Sequence, residues 1–358
     1  EVRKVMGAEI NLGSTQQLGD YLRTVLPEDR LRAWPQTPKG LLETKEAVLE
    51  ANKDLPGVAP LLDLRKASKL LSTYGKKMAE LVNPVTGRLS ASFHLAGAVT
   101  GRMASSKPSF QNLPREAIRE MFLADPGHVI LTADYSQIEL RVAAQLANDK
   151  TLLEAYRKGV DIHRFTASLL FSCPEGEVSK EQRQMAKAVA FGTLYGQGDK
   201  GLQEYARGYG VEITLEQAKA LQQKLFAAYT GLRRWREDTR SRAGRNASVM
   251  TLGGRVRRFA KGEPSVFPKS LNTPIQGTAA EILLHALALV TEALKPLNAR
   301  LVSTVHDEIV LTCHEKDADQ AEALLKDCMT QAYLEMFPGA PTTGLVECGR
   351  GKNWAEAK

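Results

Sequence analysis

The chain has 358 residues, of which 48 are Lys or Arg and 41 are Asp or Glu, and 43% of its residues are hydrophobic. This length is enough for about two domains, and the charged fraction of 25% excludes a disordered or fibrous chain. No run approaches the ~18 consecutive apolar residues of a membrane helix, so we expect a soluble protein. The four cysteines are scattered without a CxxC pair, which favours reduced thiols over a disulfide framework or a zinc site.

The net charge of +7 is unevenly distributed. Residues 233–261 contain ten basic and two acidic residues, so this segment carries +8 and the rest of the chain is nearly neutral. Residues 65–77 contain five basic residues and no acidic one. Clustered positive charge is typical of a surface that binds a polyanion, although a solvated helix face has the same pattern.

The N-terminal half is predicted to be helical up to a central strand. Helices separated by loops containing Pro and Gly are expected over 14–82, and a turn-rich stretch over 83–114. The β-branched segment VILTADY (129–135) predicts a buried strand, which leads into the helical pattern SQIELRVAAQLA. Ser179 and Gln182 form a capping-box pattern that predicts the start of a helix extending to Tyr195.

The C-terminal half mixes predicted helices and strands. In chain order we expect a helix over 214–243, a hairpin turning at Gly253–Gly254, a helix over 273–294 with Pro274 in its first turn, two short strands over 301–311, a helix over 318–336 and a strand over 343–346. Strands mixed with long helices predict an α/β (mixed α+β) fold.

Asp134 and Asp307 are candidate metal ligands. Asp134 follows the apolar strand, and Asp307 lies in the turn of the predicted 301–311 hairpin. Carboxylate oxygens suit a hard cation such as Mg²⁺, and two carboxylates can hold a metal pair ~3.5–4 Å apart for phosphoryl transfer. Taken singly, each residue also fits an ordinary turn position.

The helix after Ser179 has a second chemical pattern. Four of its residues recur at four-residue steps and share one broad face: Arg183, Lys187, Phe191 and Tyr195. The two cations suit the oxygens of a triphosphate, and the two rings suit stacking on a base. Such rings are also often core residues. Gly192 and Gly196 weaken that alternative, because glycine is costly in a helix and permits close approach.

Together these segments resemble the signature motifs of the family A DNA polymerases, the group of bacterial DNA polymerase I. The three main motifs are DYSQIELR (134–141), RQMAKAVAFGTLYG (183–196) and VHDEIV (305–310). Further similar segments are TGR and QNLP within 100–114, DIHRFTA (161–167), NTPIQG (272–277) and GLVECGRGKNW (344–354). The resemblance covers essentially the whole chain in the same order.

The resemblance implies a polymerase right hand with an antiparallel-sheet palm, helical fingers and a helical thumb. The implied boundaries are an N-terminally truncated thumb over 1–82, palm over 83–155, fingers over 156–267 and palm again over 268–358.

The implied reaction is template-directed addition of dNTPs to a primer 3′-hydroxyl with release of pyrophosphate. It would use two divalent cations, most simply Mg²⁺ with Mn²⁺ as the alternative. The expected partners are primer–template DNA and dNTPs, without a membrane. We expect a monomer in the cytoplasm, where a bacterial nucleoid, a virus-infected cell and an organelle all remain open, and no proofreading or 5′-nuclease domain in this chain.

The resemblance also implies roles for individual residues. The implied catalytic residues are Asp134, Asp307, Glu308 and Lys187. The implied metal ligands are Asp134, Asp307 and the Tyr135 carbonyl. The dNTP contacts are Gln137, Glu139, His163, Arg183, Lys187, Phe191 and Tyr195, with Glu139 excluding the ribose 2′-hydroxyl. The DNA contacts are Arg65, Lys69, Arg102, Gln111, Asn112, Arg141, Gly196, Asn272, Gln276 and His306. Pro268 departs from the family pattern, which usually has an arginine at this position.

Three alternatives stay open at this point. A catalytically silent nucleic-acid-binding protein explains the basic segments but not the combination of Asp134, Asp307, Arg183 and Lys187. A single-subunit RNA polymerase shares the palm chemistry, and Glu139 argues against it. A metal-dependent nuclease also uses paired carboxylates but has no need for the aromatic helix face.

Overall fold

A computed structural model describes residues 2–7, 9–114, 118–243, 245 and 248–358. The predicted truncation of the thumb at Glu1 lies outside these residues. The chain forms two compact units, Glu1–Ser90 and Ala91–Lys358. All four cysteines are free thiols, as predicted.

The helices and strands follow one another with few long interruptions. The helices are α1 (Val2–Met6), α2 (Thr15–Val25), α3 (Glu28–Ala33), α4 (Glu46–Glu50), α5 (Val58–Tyr74), α6 (Lys76–Ala79), α7 (Ile138–Leu146), α8 (Lys150–Lys158), α9 (Ile162–Phe171), α10 (Lys180–Leu194), α11 (Asp199–Gly208), α12 (Leu215–Ala228), α13 (Thr230–Ala243), α14 (Val266–Ala293) and α15 (Ala318–Met336). The strands are β1 (Ser92–His94), β2 (Ala104–Ser106), β3 (His128–Tyr135), β4 (Ser248–Met250), β5 (Val256–Arg258), β6 (Ala299–Val305), β7 (Glu308–His314) and β8 (Val346–Gly351).

The first unit is helical, as predicted, and consists of α1–α6 with their loops. Ser14 caps α2 by accepting a hydrogen bond from the Gln17 amide. The core of this unit includes Leu18, Leu49 and Leu61, each at most 1% exposed. Burying such a leucine contributes about 1.5–3 kcal/mol relative to leaving it in water, which fixes the short helices around one core.

A four-stranded antiparallel sheet organises the second unit. Its order is β6–β7–β3–β8, so the predicted strand β3 is central and the predicted antiparallel sheet is confirmed. Residues Val129 to Ala133 are all buried, which explains the continuous apolar run. Helix α15 packs on the sheet, and the buried Tyr135 hydroxyl donates to the Met329 carbonyl at 2.7 Å. The sheet thereby holds the end of β3 rigidly beside the β6–β7 turn.

The predicted helix over 214–243 is two helices, α12 and α13. The chain leaves helical geometry at Tyr229, whose φ and ψ are −107° and 73°. The Tyr229 hydroxyl is buried against Thr166 at 2.7 Å, and the Asp149 carboxylate accepts a hydrogen bond from the Leu232 amide at 2.9 Å. The break is therefore set by partners distant in sequence, which no local pattern reveals.

The predicted start of the next helix at Thr273 is also wrong. Helix α14 begins at Val266 and contains Pro274 in its interior. An interior proline costs about 3 kcal/mol. Burial of the apolar side chains Leu271 and Ile275 on either side of the proline offsets part of that cost.

Helix α14 also differs from the expectation that no segment is long and apolar enough to span a membrane. Among the residues that the structure describes, it alone meets that test by length and composition. In its most apolar window, 56% of the residues are buried inside the protein, and a core helix of a soluble protein meets the same test.

The last strand lies further along the chain than the predicted 343–346. Strand β8 spans Val346–Gly351 and pairs with β3, so that Cys348 faces Ala133. Its glycines are required for packing: a Cβ at Gly349 would lie 2.2 Å from the Ala357 carbonyl oxygen. The following turn therefore lies directly against this edge of the sheet.

Candidate active site

Two carboxylates meet at the end of the central strands. Asp134 lies near the end of β3, and Asp307 lies in the tight turn between β6 and β7. The Tyr135 amide donates to the Asp307 carbonyl at 3.2 Å, which locks the turn to the strand. The structure thus brings together the two residues that the sequence singled out from positions 173 residues apart.

The electrostatics of this pair fit a divalent cation. Burial, and then the neighbouring charge of Asp134, raise the pKa of Asp307 to about 7. Two carboxylates so close repel each other unless a proton or a cation lies between them. The Tyr135 side chain is buried and its hydroxyl donates to the Met329 carbonyl, so this side chain is not available to a cation. Among the described residues, the paired carboxylates are not part of a larger cluster of His, Cys, Asp and Glu, and their oxygen-only donor set suits Mg²⁺.

Glu308, beside the pair, is fully engaged by other groups. Its carboxylate accepts hydrogen bonds from Arg119 at 3.0 and 3.1 Å, from the Trp354 indole at 2.6 Å and from Lys358 at 2.5 Å. Burial opposes its ionisation, but Lys358, Arg119 and Trp354 together lower its pKa. Glu308 is therefore a buried carboxylate whose oxygens already have partners, and it lies beside the Asp134–Asp307 pair.

Helix α10 presents the predicted cationic and aromatic face. The capping box of Ser179 and Gln182 is formed, which confirms the predicted helix start. Arg183 donates to the Asp161 carboxylate at 2.8 Å, and the Lys187 ammonium lies 5.8 Å from the centre of the Tyr209 ring. The rings of Phe191 and Tyr195 are 6.1 Å apart. The four residues form one continuous surface, as their spacing predicts.

His163 joins this surface from α9. Its ring lies 5.8 Å from Phe191, and the residue is 4% exposed. Burial, followed by the charges of Lys187 and Arg183, lowers its pKa to about 4. The imidazole is therefore neutral at pH 7, and its Nδ1 is a buried atom without a hydrogen-bond partner in the structure. A neutral imidazole can donate to an anion from one nitrogen only.

Glu139 lies in the first turn of α7, just after β3, and connects this part of the chain to the end of α10. One carboxylate oxygen accepts from Arg102 and the other from the Tyr195 hydroxyl. Glu139 is 7% exposed, and burial raises the pKa of Tyr195 to about 12, so this hydroxyl stays a donor at neutral pH. Gln137 lies nearby in a left-handed conformation and accepts from the Tyr156 hydroxyl at 3.3 Å. The link between Arg102, Glu139 and Tyr195 was not evident from the sequence.

The glycines beside the rings have a packing role. A Cβ at Gly192 would lie 2.6 Å from Leu202, and one at Gly196 would lie 3.0 Å from Pro268. Gly196 also has a φ of +79°, which disfavours other residues. Pro268, which replaces the arginine usual in the family, is thus the surface against which the end of α10 packs.

The residues predicted to contact DNA differ in their exposure to solvent. Arg141 is 4% exposed, and its guanidinium donates to the carbonyls of Ser136, Pro341 and Thr343 at 2.8–3.2 Å. Its donors are used inside the protein, so the structure does not support the predicted duplex contact. The basic segment 233–261 is likewise not all surface, because Arg236 is 6% exposed and lies over the rings of Phe226 and Phe267.

The other predicted contacts remain accessible to differing degrees. Asn272 and Gln276 are half-buried neighbours on α14, one helical turn apart. Gln111 donates weakly to the Thr304 carbonyl at 3.4 Å, while Asn112 and His306 are exposed. In the first unit, Lys69 is exposed on α5, and Arg65 donates to the Thr44 carbonyl at 2.5 Å.

Sequence reasoning missed four residues that hold the site together. Asp161 both caps α9 and pairs with Arg183. Arg119, Trp354 and Lys358 surround Glu308. Two of them carried a signal: Asp161 is the first residue of the DIHRFTA segment, and Trp354 is the last residue of the GLVECGRGKNW segment. The others are ordinary polar residues until the fold brings them to a buried carboxylate.

Comparison with known proteins identifies the family of the chain. Residues 1–356 match the family described as DNA polymerase family A, and the chain belongs to that family. It is 39% identical over 327 residues to DNA polymerase I of Aquifex aeolicus, and this match covers 90% of this chain and 55% of the relative. It is 40% identical over 376 residues to DNA polymerase I of Pseudomonas aeruginosa, and this match covers 98% of this chain and 39% of the relative.

A solved structure is similar over nearly the whole chain. The POL domain of Pol1 from M. smegmatis, in complex with DNA primer–template and dNTP, superposes with a TM-score of 0.85 at 32% sequence identity. The match covers 99% of this chain and 63% of that one. The chain thus spans about half or less of the length of the curated relatives it matches.

Proposed function

We propose that the chain is a template-directed DNA polymerase that adds deoxynucleotides to a primer 3′-hydroxyl and releases pyrophosphate. The observation that carries this proposal is the close pair of Asp134 and Asp307, in which the pKa of Asp307 is raised to about 7. Family membership and the nucleotide-bound and DNA-bound state of the M. smegmatis domain support it. The working location would be the cytoplasm, on DNA.

Two divalent cations, most simply Mg²⁺, would be held by Asp134, Asp307 and the Tyr135 carbonyl. When bound, they supply acidity and charge neutralisation to phosphoryl transfer. The protein's own contribution is to hold the two carboxylates at the ends of rigid strands. Glu308 lies beside these two carboxylates. It is not a ligand in this proposal, because its oxygens accept hydrogen bonds from Arg119, Trp354 and Lys358.

The α10 surface would bind the incoming dNTP. Arg183 and Lys187 would hold the phosphates, and the Lys187 ammonium would give a proton to the leaving pyrophosphate. The neutral His163 would donate one hydrogen bond to the phosphates. Phe191 would pack against sugar and base, and Tyr195 would lie at the templating position. Closure of this helix over a correct pair would complete the site, which is how induced fit adds selectivity.

The residues that contact the duplex would bind it independently of its base sequence. Arg102, Gln111, Asn112, Asn272, Gln276 and His306 would lie along the primer–template, with Arg65 and Lys69 contributing from the first unit. Minor-groove acceptors are shared by all correct base pairs, so such donors test pair geometry. In this scheme the thumb covers 1–82, the palm 83–155 and 268–358, and the fingers 156–267.

Primer extension tests the proposal directly. A labelled primer–template with Mg²⁺ and each dNTP in turn should be extended only by the nucleotide complementary to the template. Asp134→Ala should abolish extension, while Asp319→Ala, at an exposed carboxylate 92% accessible on α15, should leave it unchanged. A chain that binds the duplex tightly at low salt but extends no primer would instead be a catalytically silent binding protein.

Glu139 should control the choice of sugar. We expect Glu139→Ala to raise incorporation of ribonucleotides relative to deoxynucleotides on the order of 10²-fold, because the carboxylate that would exclude the 2′-hydroxyl is gone. Single-nucleotide insertion kinetics with rCTP and dCTP measure this ratio.

Tyr195→Phe is the matched variant, because it keeps the ring and removes the hydrogen bond to Glu139. It should relax the sugar preference less than Glu139→Ala does. An unchanged sugar preference in Glu139→Ala would remove Glu139 from this role.

A further inference from the structure

The turn that follows β8 is fastened to the catalytic end of the sheet. Gly349 and Gly351 leave room for it, since a Cβ at Gly351 would lie 2.4 Å from the Glu356 side chain. The Trp354 amide donates to the Phe122 carbonyl at 3.0 Å, and the Ala357 carbonyl accepts from Thr132 on β3. The turn is therefore a fixed part of the palm sheet, and the side chain that ends it has a defined position.

That side chain is Lys358, and it reaches the proposed metal site. Its ammonium nitrogen lies 2.5 Å from one oxygen of Glu308 and 3.3 Å from one oxygen of Asp134. The Lys358 and Asp134 side chains are 25% and 29% exposed, so water only partly screens this contact. A positive charge thus already touches a carboxylate that would bind a divalent cation.

The charge balance of the centre depends on this lysine. Three carboxylates, those of Asp134, Asp307 and Glu308, are accompanied by the two cations Arg119 and Lys358. Arg102 also acts on Asp307, but its charge is balanced by its own partner Glu139. With all five groups ionised, the centre has one net negative charge. Without the Lys358 ammonium it would have two, and its attraction for a divalent cation would rise accordingly.

We propose that Lys358 is a positioning residue that acts as a tethered counter-ion: it holds Asp134 while no divalent cation is bound and weakens the affinity of the Asp134–Asp307 pair for divalent cations. This inference rests on the proposed function, in which that pair binds metal. Its consequence is that the centre by itself binds metal weakly, so that full occupancy needs the additional negative charge of a bound nucleotide.

Binding of Mn²⁺ to the full chain, without DNA or nucleotide, tests the inference apart from activity. Electron paramagnetic resonance measures free Mn²⁺ during a titration at pH 8. We expect Lys358→Gln to tighten Mn²⁺ binding on the order of tenfold, because one like charge is removed at short range. Lys358→Arg keeps the charge and should bind within about twofold of the unchanged protein.

Two further variants locate the effect. Lys352→Gln removes another lysine of the same turn, one that pairs with Glu315 and not with the carboxylate centre, and should leave Mn²⁺ binding unchanged. In an Asp134→Asn background, Lys358→Gln should no longer tighten binding, since the shared ligand is missing. Thermal unfolding of each variant without metal checks that the fold is kept.

The outcomes separate the inference from the function on which it rests. Mn²⁺ binding that Asp134→Asn weakens, with no tightening in Lys358→Gln, overturns the counter-ion role and leaves the metal site intact. Mn²⁺ binding that Asp134→Asn does not weaken overturns the metal site and the inference with it. Equal tightening in Lys358→Gln and Lys352→Gln would mean that only overall charge acts, and would also overturn the role of Lys358.

Discussion

Asp307→Asn should lower the rate of nucleotide addition at least ~10³-fold and at the same time make the metal-free protein more stable at pH 8. The loss follows because an amide cannot replace an anionic oxygen as ligand to a hard cation. The gain follows because Asp307 is half-buried beside Asp134, and desolvation and the neighbouring charge both raise its pKa to about 7. Ionised Asp307 therefore costs folding free energy, and the asparagine removes that cost.

The pH dependence of this stability gain has a definite sign. A raised pKa means that the folded protein holds the Asp307 proton more tightly than the unfolded chain does. The stabilisation from this proton is complete below the ordinary pKa of 3.8 and is lost as the pH rises through about 7. The advantage of Asp307→Asn should thus be near zero at pH 4 and reach a plateau of no more than ~4 kcal/mol above pH 7.

Urea unfolding of both proteins between pH 4 and 8, with and without Mg²⁺, measures this curve. Mg²⁺ should raise the stability of the unchanged protein at pH 8 more than that of Asp307→Asn, because binding to the folded state alone is stabilising. Asp319→Asn is the control at an exposed carboxylate and should change neither activity nor the pH curve. A stability difference that does not vary with pH would show that Asp307 is not the strained carboxylate of this site.

The elements that the sequence predicted well are those whose cause is local. The buried strand β3, the capping box of α10 and the hairpin β4–β5 follow from β-branched residues, a Ser–Gln cap and a Gly–Gly turn. The errors share a different cause. The break at Tyr229, the interior Pro274 and the glycine-containing strand β8 each depend on a partner distant in the chain. Local propensity is a weak guide wherever such contacts decide the geometry.

The candidate site shows the same division. Asp134, Asp307 and the four residues of the α10 face could be found because carboxylates at strand ends and a four-residue repeat have chemical meaning in a sequence. The residues around Glu308 could not, because an arginine such as Arg119 in a loop-rich stretch is usually a surface residue. Arg141 shows the converse: the resemblance predicts a duplex contact, but the fold directs its guanidinium to the backbone carbonyls of Pro341 and Thr343, which no local pattern reveals.

Arg119 should therefore be one of the most sensitive positions for stability. Its guanidinium is 3% exposed, pairs with a Glu308 that is 2% exposed, and lies 4.3 Å from the centre of the Trp354 ring. Removing one member of a buried ion pair costs about 3–5 kcal/mol when the other charge is left uncompensated, and the second partner of Glu308, Lys358, places the expected cost at the lower end of this range. We expect Arg119→Met to destabilise the protein by about this amount in urea unfolding, although methionine fills a similar volume.

A matched comparison within the same chain distinguishes burial from charge. Arg32 pairs with Glu28 on an exposed helix face, where the two side chains are 82% and 87% accessible. Arg32→Met removes the same functional group from an ion pair in water and should cost less than about 1 kcal/mol. A cost for Arg119→Met as small as that for Arg32→Met would contradict the buried pair.

The double variant Arg119→Met with Glu308→Gln then tests what the ion pair does for the site. Since the double variant no longer buries the Glu308 charge and Lys358 keeps Asp134 as a partner, it should be more stable than Arg119→Met alone by about 1–3 kcal/mol. Primer extension should nevertheless stay impaired, because Trp354 and Lys358 lose the carboxylate that orders them beside Asp134. Recovery of stability without recovery of activity would assign Glu308 to positioning the metal ligands, whereas recovery of both would reduce it to a packing residue.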